Sequence, residues 1–592
     1  MNTLRVLVAV LLAAFPAAAS HAQTAPEGNA HPQAMALSES RDLPSPFGEH
    51  NTDPSKVISA AEKAAFAAQV NLECLRGLAV FHGGRVKVLG TLAGETVEQL
   101  AGRRTYVDYV RDPKAGNVEG IRDVKYDPVF TLLDMTIDPG YYLDKPLLGI
   151  EYLPLRRAIL ETKFKDDEAA QKRWLRVGRI TPLMVDEVVP EVAQAHMSEE
   201  PFRAALGRLD DSIGLFLRGK SNYLMVAPSE TDLPWQHLSQ LPEDSPARRA
   251  AADLGDAWRA RDAGRVNAAA IALAAELPKI NASVYPGAKR AMETWYNRSH
   301  AFEIGFWVYA FSLVCLLLAF GTGRRWLVWA GGVLLAVALA THAGGFITRC
   351  LIAERFAIQN QFESMTGLSL FAVAVGLALM LMRRQWLFGA AAAAVGFLVL
   401  LTATQAPIPG KHIGREAAIL NTSVLLKYHV TTVLSSYGLI ALGFVLSLFY
   451  LGCHYLVVER SPVLAGDGGG SGGVSLALGD DRGVIGTRAR LLADLDTAQM
   501  IVLQLAFWTL GVGILLGAWW ADHSWGRWWA FDPKETWALI TWIVYLVVIH
   551  VRIAAPRNKA FTTAWLSIVG FVVMLWTYFG VNLLLPGLHA YA

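Results

Sequence analysis

Between residues 519 and 537 the chain reads WWADHSWGRWWAFDPKETW. Trp519, Trp520, Trp525, Trp528, Trp529, Phe531 and Trp537 crowd seven large rings between two apolar runs. An aromatic belt at a bilayer surface usually places one or two rings at a helix end, with one edge wet and the other apolar. This density of flat, polarisable surface suits instead a platform for a flat, apolar ligand. Around it stand histidines able to bind a metal: His429 in LLKYHVTTVLSSYG, His589 in LLLPGLHAYA, and His550 near the end of the run that follows. Taken singly, each is more simply a polar residue at a helix end. Their joint placement decides between the two readings, and placement depends on the elements that carry them.

Apolar runs of spanning length occupy 302–320, 326–344, 364–382, 386–403, 430–451, 501–519, 537–551 and 563–585. They predict about eight transmembrane helices, and so a mainly α, polytopic α-helical membrane protein. Ahead of them, 1–22 places Arg5 before an apolar run too short to span comfortably and ends on Ser20-His21-Ala22, the pattern of a cleaved signal peptide. The segment 23–298 is then an extracytoplasmic domain and 299–592 the membrane domain. The turns this orientation puts inside, 323–325, 383–384, 452–499 and 552–559, all carry Arg or Lys. The outer turns also hold Arg349, Arg355, Lys411, Arg415 and Arg527, yet the bias agrees with the positive-inside rule. GDGGGSGG at 466–473 reads as a flexible linker.

With these spans the tryptophan-rich loop lies outside, between the sixth and seventh helices. His429 falls at the outer end of the fifth helix and His589 just past the outer end of the eighth. Haem is a flat macrocycle whose iron takes two axial ligands, and neutral imidazole suits iron. His429 and His589 from opposite sides, with Trp rings flanking the macrocycle, would hold haem b by ligation and stacking together. His412 and His523, in loops on the same face, stay open as alternatives. His550 lies ~20 Å beyond Trp537 at the helical rise, within the bilayer, where an ionisable group marks a functional site by default. A helix-end residue beside Arg552 is the plainer alternative. Of the two other histidines near membrane depth, His342 lies nearer the outer surface and His454 nearer the cytoplasm.

Asp532-Pro533-Lys534-Glu535 has a structural explanation: Asp at the N-cap, Pro at the first helical position and Glu at the third. Asp532 and Glu535 then bracket the aromatic loop to the seventh helix rather than act as general acid and base. A mean hydropathy of +0.32 with 18% charged residues fits a membrane protein with a sizeable polar portion. The net charge of +2 argues for neither nucleic acid nor an acidic partner. Cys74, Cys315, Cys350 and Cys453 form no CxxC or CxxCH, which weighs against a thioredoxin-like reductase, a c-type cytochrome and a Cys-ligated zinc site. In the polar segment, 23–55 looks disordered. Helical patterns follow at 60–75, 166–174, 201–218, 246–277 and 288–296, with a short strand near 86–89 after a Gly83-Gly84-Arg85 turn. His82, His196 and His237 read as surface or structural residues.

WGRWWAFDPKETWALITWIVYLVVIHVR, from Trp525 to Arg552, resembles the tryptophan-rich WWD signature of the CcsA/ResC family of System II cytochrome c biogenesis, which is related to CcmC and CcmF. Phe531 stands where a Trp is usual. AIQNQFES at 357–364 resembles the family's outer-loop segment, with Ala357, Gln359 and Phe362 at variant positions. HGGRVKVLGTLAGETV at 82–97 resembles, more weakly, a segment of larger bacterial versions. The resemblance implies a subunit of a cytochrome c synthetase in a bacterial inner membrane, with 23–298 and the WWD loop in the periplasm. It implies that His429 and His589 are the periplasmic haem ligands, favoured over His412 and His523, and that His550 is the transmembrane one. No region resembles the ResB/CcsB partner, so the second ligand of His550 comes from another chain or from His342. Apocytochrome c with a CxxCH motif would be the acceptor. Rival readings are a haem exporter or chaperone without attachment activity, and a structural membrane subunit without a cofactor.

Overall fold

The computed structural model describes residues 43–49, 57–111, 121–415, 424–456, 487–554, 558–585 and 587. The expected signal peptide at 1–22, the Gly-rich stretch at 466–473 and His589 lie outside the described residues. The chain divides into two compact units whose boundary in sequence falls between Asn297 and Arg298.

The first unit is mainly helical. Ser59 opens the helix Ala60–Ala67 with a capping box: its Oγ accepts from Glu62 N at 3.3 Å, and the Glu62 carboxylate accepts from Ser59 N at 3.0 Å. Where one helix was expected over 60–75, two form, Ala60–Ala67 and Glu73–Arg76. The chain between them is tied elsewhere: Asn71 N donates to Asn267 Oδ1 at 2.7 Å, and Asn267 Nδ2 donates to Gln69 O at 3.1 Å. The expected helix at 246–277 is likewise divided into Pro246–Arg259 and Ala263–Glu276. Arg261 takes a left-handed φ of 59° there, and Asp262 caps the second piece by accepting from Arg265 N at 3.0 Å.

Three antiparallel two-stranded ribbons join these helices. β1 (Ala79–His82) pairs with β2 (Arg85–Val88) across Gly83 and Gly84, whose φ values of 60° and 78° suit a type I′ hairpin turn. β3 (Val107–Arg111) pairs with β4 (Ile121–Lys125), and β5 (Leu148–Gly149) with β6 (Arg179–Ile180). These strands are too short to carry a readable period of two. Buried within the unit, Lys63 donates to Asp134 at 2.7 and 2.9 Å and to Asp138 at 3.0 Å, and Trp258 Nε1 donates to Asp134 at 2.9 Å. His237 is buried with Ser239 Oγ and Lys220 O on its two ring nitrogens, at 2.7 and 2.9 Å.

The second unit holds eight helices long and apolar enough to cross a membrane, among the described residues. They are α1 (Ala301–Thr322), α2 (Arg325–Ala353), α3 (Gln361–Arg383), α4 (Trp386–Gln405), α5 (Val424–Leu456), α6 (Thr487–Trp525), α7 (Pro533–Ala554) and α8 (Lys559–Leu575). A π-helical turn, Trp576–Gly580, and a last turn, Val581–Leu584, continue α8. α5 packs along α6, α8 and α3, while α1 packs against α2 and α4. A Cβ on Gly438 would lie 2.6 Å from the Leu368 carbonyl oxygen, so α5 and α3 approach through glycine. Outward faces carry Trp307, Trp329, Trp508 and Leu515, the surface expected toward lipid.

Among the helices that outrun the expected spans, two matter for the site. α2 continues past 344 to Ala353, so Arg349 is no loop residue: it is fully buried inside the helix. Its guanidinium donates to Glu363 at 3.1 Å and to the carbonyls of Gly410, Lys411 and His412 at 2.7, 2.8 and 3.2 Å. Glu363, equally buried, also accepts from Arg355 at 2.7 Å. One network thus ties the end of α2, the start of α3 and the loop after α4. α6, expected over 501–519, runs through Trp525, where Gly526 turns left-handed at φ 70°. Trp519, Trp520 and Trp525 are therefore helical residues and only 526–532 forms the loop.

Candidate functional site

At the end where α6 finishes and α3, α5 and α7 begin, the helices enclose a cavity of about 520 Å³, within the usual range for a small-molecule site. His429, near the start of α5, lines it. Its Nδ1 lies 2.8 Å from the Gly513 carbonyl oxygen on α6. A carbonyl oxygen only accepts, so Nδ1 carries the proton and the lone pair of the neutral ring is on Nε2. The ring lies against Gly517, one turn further along α6: a Cβ there would come within 2.5 Å of His429 Cε1 and 2.8 Å of Nδ1. Gly513 and Gly517 thus form a seat that only glycine at 517 allows. An imidazole whose other nitrogen is fixed by a backbone carbonyl is the arrangement found behind metal-ligating histidines.

The aromatic stretch divides by function. Trp520 is 2% exposed, lines the cavity and meets Trp525 edge-on at 4.9 Å between ring centroids. Trp529 also lines the cavity. Trp528 is exposed, as is Phe531 at 82%, and Trp519 lies beside His523 on the outer surface of α6. Trp537 packs on Trp576 at 5.8 Å. Two of the seven rings therefore wall the cavity and the others support it or face outward.

The loop is joined to α7 by the cap its sequence predicts. Asp532, 5% exposed, accepts from Lys534 N at 3.3 Å; Glu535 Oε2 accepts from Ala530 N at 2.9 Å and Asp532 N at 3.2 Å. Among the described residues Glu535 is the one carboxylate lining the cavity, whereas Arg415, Lys427 and Lys534 all line it, so the described wall is cationic. At the inner end Tyr437 and Tyr578 meet edge-on at 6.1 Å, ~12 Å along α5 from His429. Tyr578 hydrogen-bonds Ser364, and its hydroxyl donates to Gln361 O at 3.3 Å.

Of the other sequence-predicted histidines, one shares the cavity and three lie elsewhere. His412 lines the same cavity, on the loop held by Arg349. His523 is exposed, with Nδ1 on Trp519 O at 3.0 Å. His342 is fully buried between α1 and α3: Nε2 donates to Thr366 O at 3.0 Å and Nδ1 faces Tyr309 Oη at 3.3 Å. His550 is exposed about one turn before the end of α7, which packs on α6 and α8, and its Nδ1 donates to Leu546 O at 2.8 Å. No hydrogen bond or ring contact joins His342 to His550 among the described residues. Sequence reasoning missed the glycine seat, the Arg349–Glu363 clamp and the wall at 359–361. The available signals were glycines four apart ahead of Trp519-Trp520, and opposite charges between two apolar runs, one past the end of the first and one just before the second.

The family profile described as Cytochrome C assembly protein matches residues 299–589. The cytochrome c biogenesis protein CcsA of Gloeobacter violaceus is 30% identical over 313 residues, covering 48% of this chain and 89% of that protein. CcsA of Parasynechococcus marenigrum is 34% identical over 305 residues, 49% of this chain and 95% of that protein. Protein NrfI of Wolinella succinogenes is 29% identical over 261 residues, 43% of this chain and 25% of that protein. With nearly the whole length of CcsA proteins aligned at this identity, the chain belongs to the CcsA/ResC family of cytochrome c biogenesis proteins.

Proposed function

We propose that this chain is the haem-handling subunit of a cytochrome c synthetase in a bacterial inner membrane, with 23–298 and the cavity on the periplasmic side and 1–22 removed as a signal peptide. Its substrate is haem b. His429 supplies one axial nitrogen, Nε2, and His589 the other. Trp520 and Trp529 lie along the macrocycle, and Arg415, Lys427 and Lys534 favour a ligand that carries carboxylates. Asp532 belongs to the site as the cap that holds the Trp529 loop on α7. Haem enters through an intramembrane site at His550. His342 would have to break two hydrogen bonds to serve there, so the second ligand comes from a ResB/CcsB-like partner chain.

The acceptor is apocytochrome c. Each cysteine S–H of its CxxCH motif adds across a vinyl C=C of haem, forming a C–S and a C–H bond with no net electron transfer. The protein contributes positioning, and the reactivity belongs to haem and thiol. Trp528 and Phe531, exposed beside the cavity, offer the incoming peptide an aromatic surface.

The observation that carries this proposal is His429, fixed on Gly513 and Gly517 in a cavity walled by tryptophan and lined by cations. The test is co-expression with an apocytochrome c in cells lacking their own assembly system. Covalent haem on the cytochrome supports the synthetase; haem bound to this chain with none attached to the cytochrome supports a carrier instead.

A further inference from the structure

We infer that Gln361 recognises a carboxyl group of the cavity's ligand and so sets which edge of the ligand faces outward; this rests on the haem reading above. Gln361 opens α3, is 9% exposed and lines the cavity. Its Nε2 and Oε1 are both buried, and neither has a hydrogen-bond partner among the described residues. The backbone around it is pinned. Gln361 O accepts from Ser364 Oγ at 2.9 Å and from Tyr578, while Asn360 Oδ1 accepts from Glu363 N at 2.9 Å. Phe362 N donates to Pro409 O at 3.1 Å. A buried amide with two unmet atoms carries a desolvation penalty until a partner meets it.

The amide presents one donor and one acceptor side by side. A protonated carboxyl presents the complement: its C=O accepts from Nε2 and its O–H donates to Oε1, closing a ring of two hydrogen bonds. A carboxylate would satisfy only Nε2 and set a negative charge against Oε1. Burial of an unpaired charge is costly, so the neutral acid is the form that enters. Haem carries its two carboxyethyl arms on one side of the ring and its vinyls away from them. A carboxyl arm drawn toward Gln361 and the Tyr437–Tyr578 end turns the vinyls away from that end of the cavity. Arg415 and Lys427 act earlier, drawing the anionic ligand from water.

The experiment titrates the purified full-length protein with iron protoporphyrin IX and with its dimethyl ester, followed by Soret absorbance and tryptophan fluorescence. The wild type should prefer the free acid on the order of tenfold, the worth of two neutral hydrogen bonds. Gln361→Leu should lose that preference through the acid alone, its unchanged affinity for the ester showing that the cavity is intact. Arg415→Gln and Lys427→Gln should slow association of the free acid and lower the ratio by much less than Gln361→Leu does. An unchanged ratio in Gln361→Leu, or a collapse in the arginine or lysine variant instead, overturns the inference. Should Gln361→Leu bind neither ligand, Gln361→Asn, which withdraws the amide by one methylene, decides: a reduced ratio supports and an unchanged ratio overturns. His429→Ala reports separately on the haem reading, since a Soret band unaltered by it removes that reading whatever the ratio.

Discussion

Replacing Gly517 by alanine isolates the seat of His429 from the histidine itself. The new methyl would stand 2.5 and 2.8 Å from Cε1 and Nδ1 of the ring, closer than real Cβ contacts come, and 3.2 Å from Nε2. The ring must move off Gly513 O and surrender its 2.8 Å hydrogen bond. Overpacking of this kind costs about 1–3 kcal/mol of stability. Loss of the bond that orients a metal-ligating imidazole lowers affinity roughly 10–100-fold. Gly513→Ala is the matched control, because its methyl meets Val433 Cγ2 at 2.7 Å while the carbonyl that holds His429 survives. Haem titration by Soret absorbance, with thermal unfolding alongside, should show both variants destabilised and only Gly517→Ala weakened in haem ligation. Wild-type affinity and ligation in Gly517→Ala, or an equal loss in Gly513→Ala, would refute the seat.

Arg349→Met leaves Glu363 partly uncompensated and strands the carbonyls of 410–412, so a loss of roughly 3–5 kcal/mol is expected, with faster proteolysis near 410; thermal unfolding and limited proteolysis check both. Asp532→Asn keeps a good N-cap and should leave stability and haem spectrum close to wild type, whereas Asp532→Ala should cost about 1 kcal/mol; a lost spectrum in the Asn variant would assign the carboxylate a direct role. Burial, with the Lys87 ammonium second, pushes His82 down to about 4, so the folded unit keeps it neutral while the unfolded chain takes a proton near 6.5. Stability is then fully present above pH 6.5 and falls as pH drops toward 4, by up to about 3 kcal/mol. His82→Gln should flatten that slope in unfolding measured from pH 7 to 4.5.

Much of the site was legible because its signals are local. Asp532-Pro533-Lys534-Glu535 carries its cap within four residues, and His429 declares itself by lying at the end of an apolar run beside the tryptophans. The end of α6 was misplaced because Asp522, His523 and Ser524 look like loop residues, although Gly526 was the better stop signal. Arg349 was counted with the outer loops because a lone charge ends an apolar window; its partner Glu363 begins another helix, and pairing across helices leaves no local trace. The same holds for the division of the seven rings. Which of them wall the cavity depends on where α5 and α3 press, and that is set by close approaches such as Gly438 on Leu368. In the first unit, breaks such as Arg261-Asp262 were hidden inside helix-favouring alanine runs.

The central claim is that His429 ligates the iron of haem in this cavity. The most direct measurement is the absorption and magnetic circular dichroism spectrum of haem on the purified full-length protein, compared with His429→Ala and with His523→Ala as the neighbouring control. The account predicts a six-coordinate bis-imidazole spectrum that His429→Ala abolishes, that added imidazole restores, and that His523→Ala leaves intact. An unchanged spectrum in His429→Ala, or its loss in His523→Ala alone, would contradict the account.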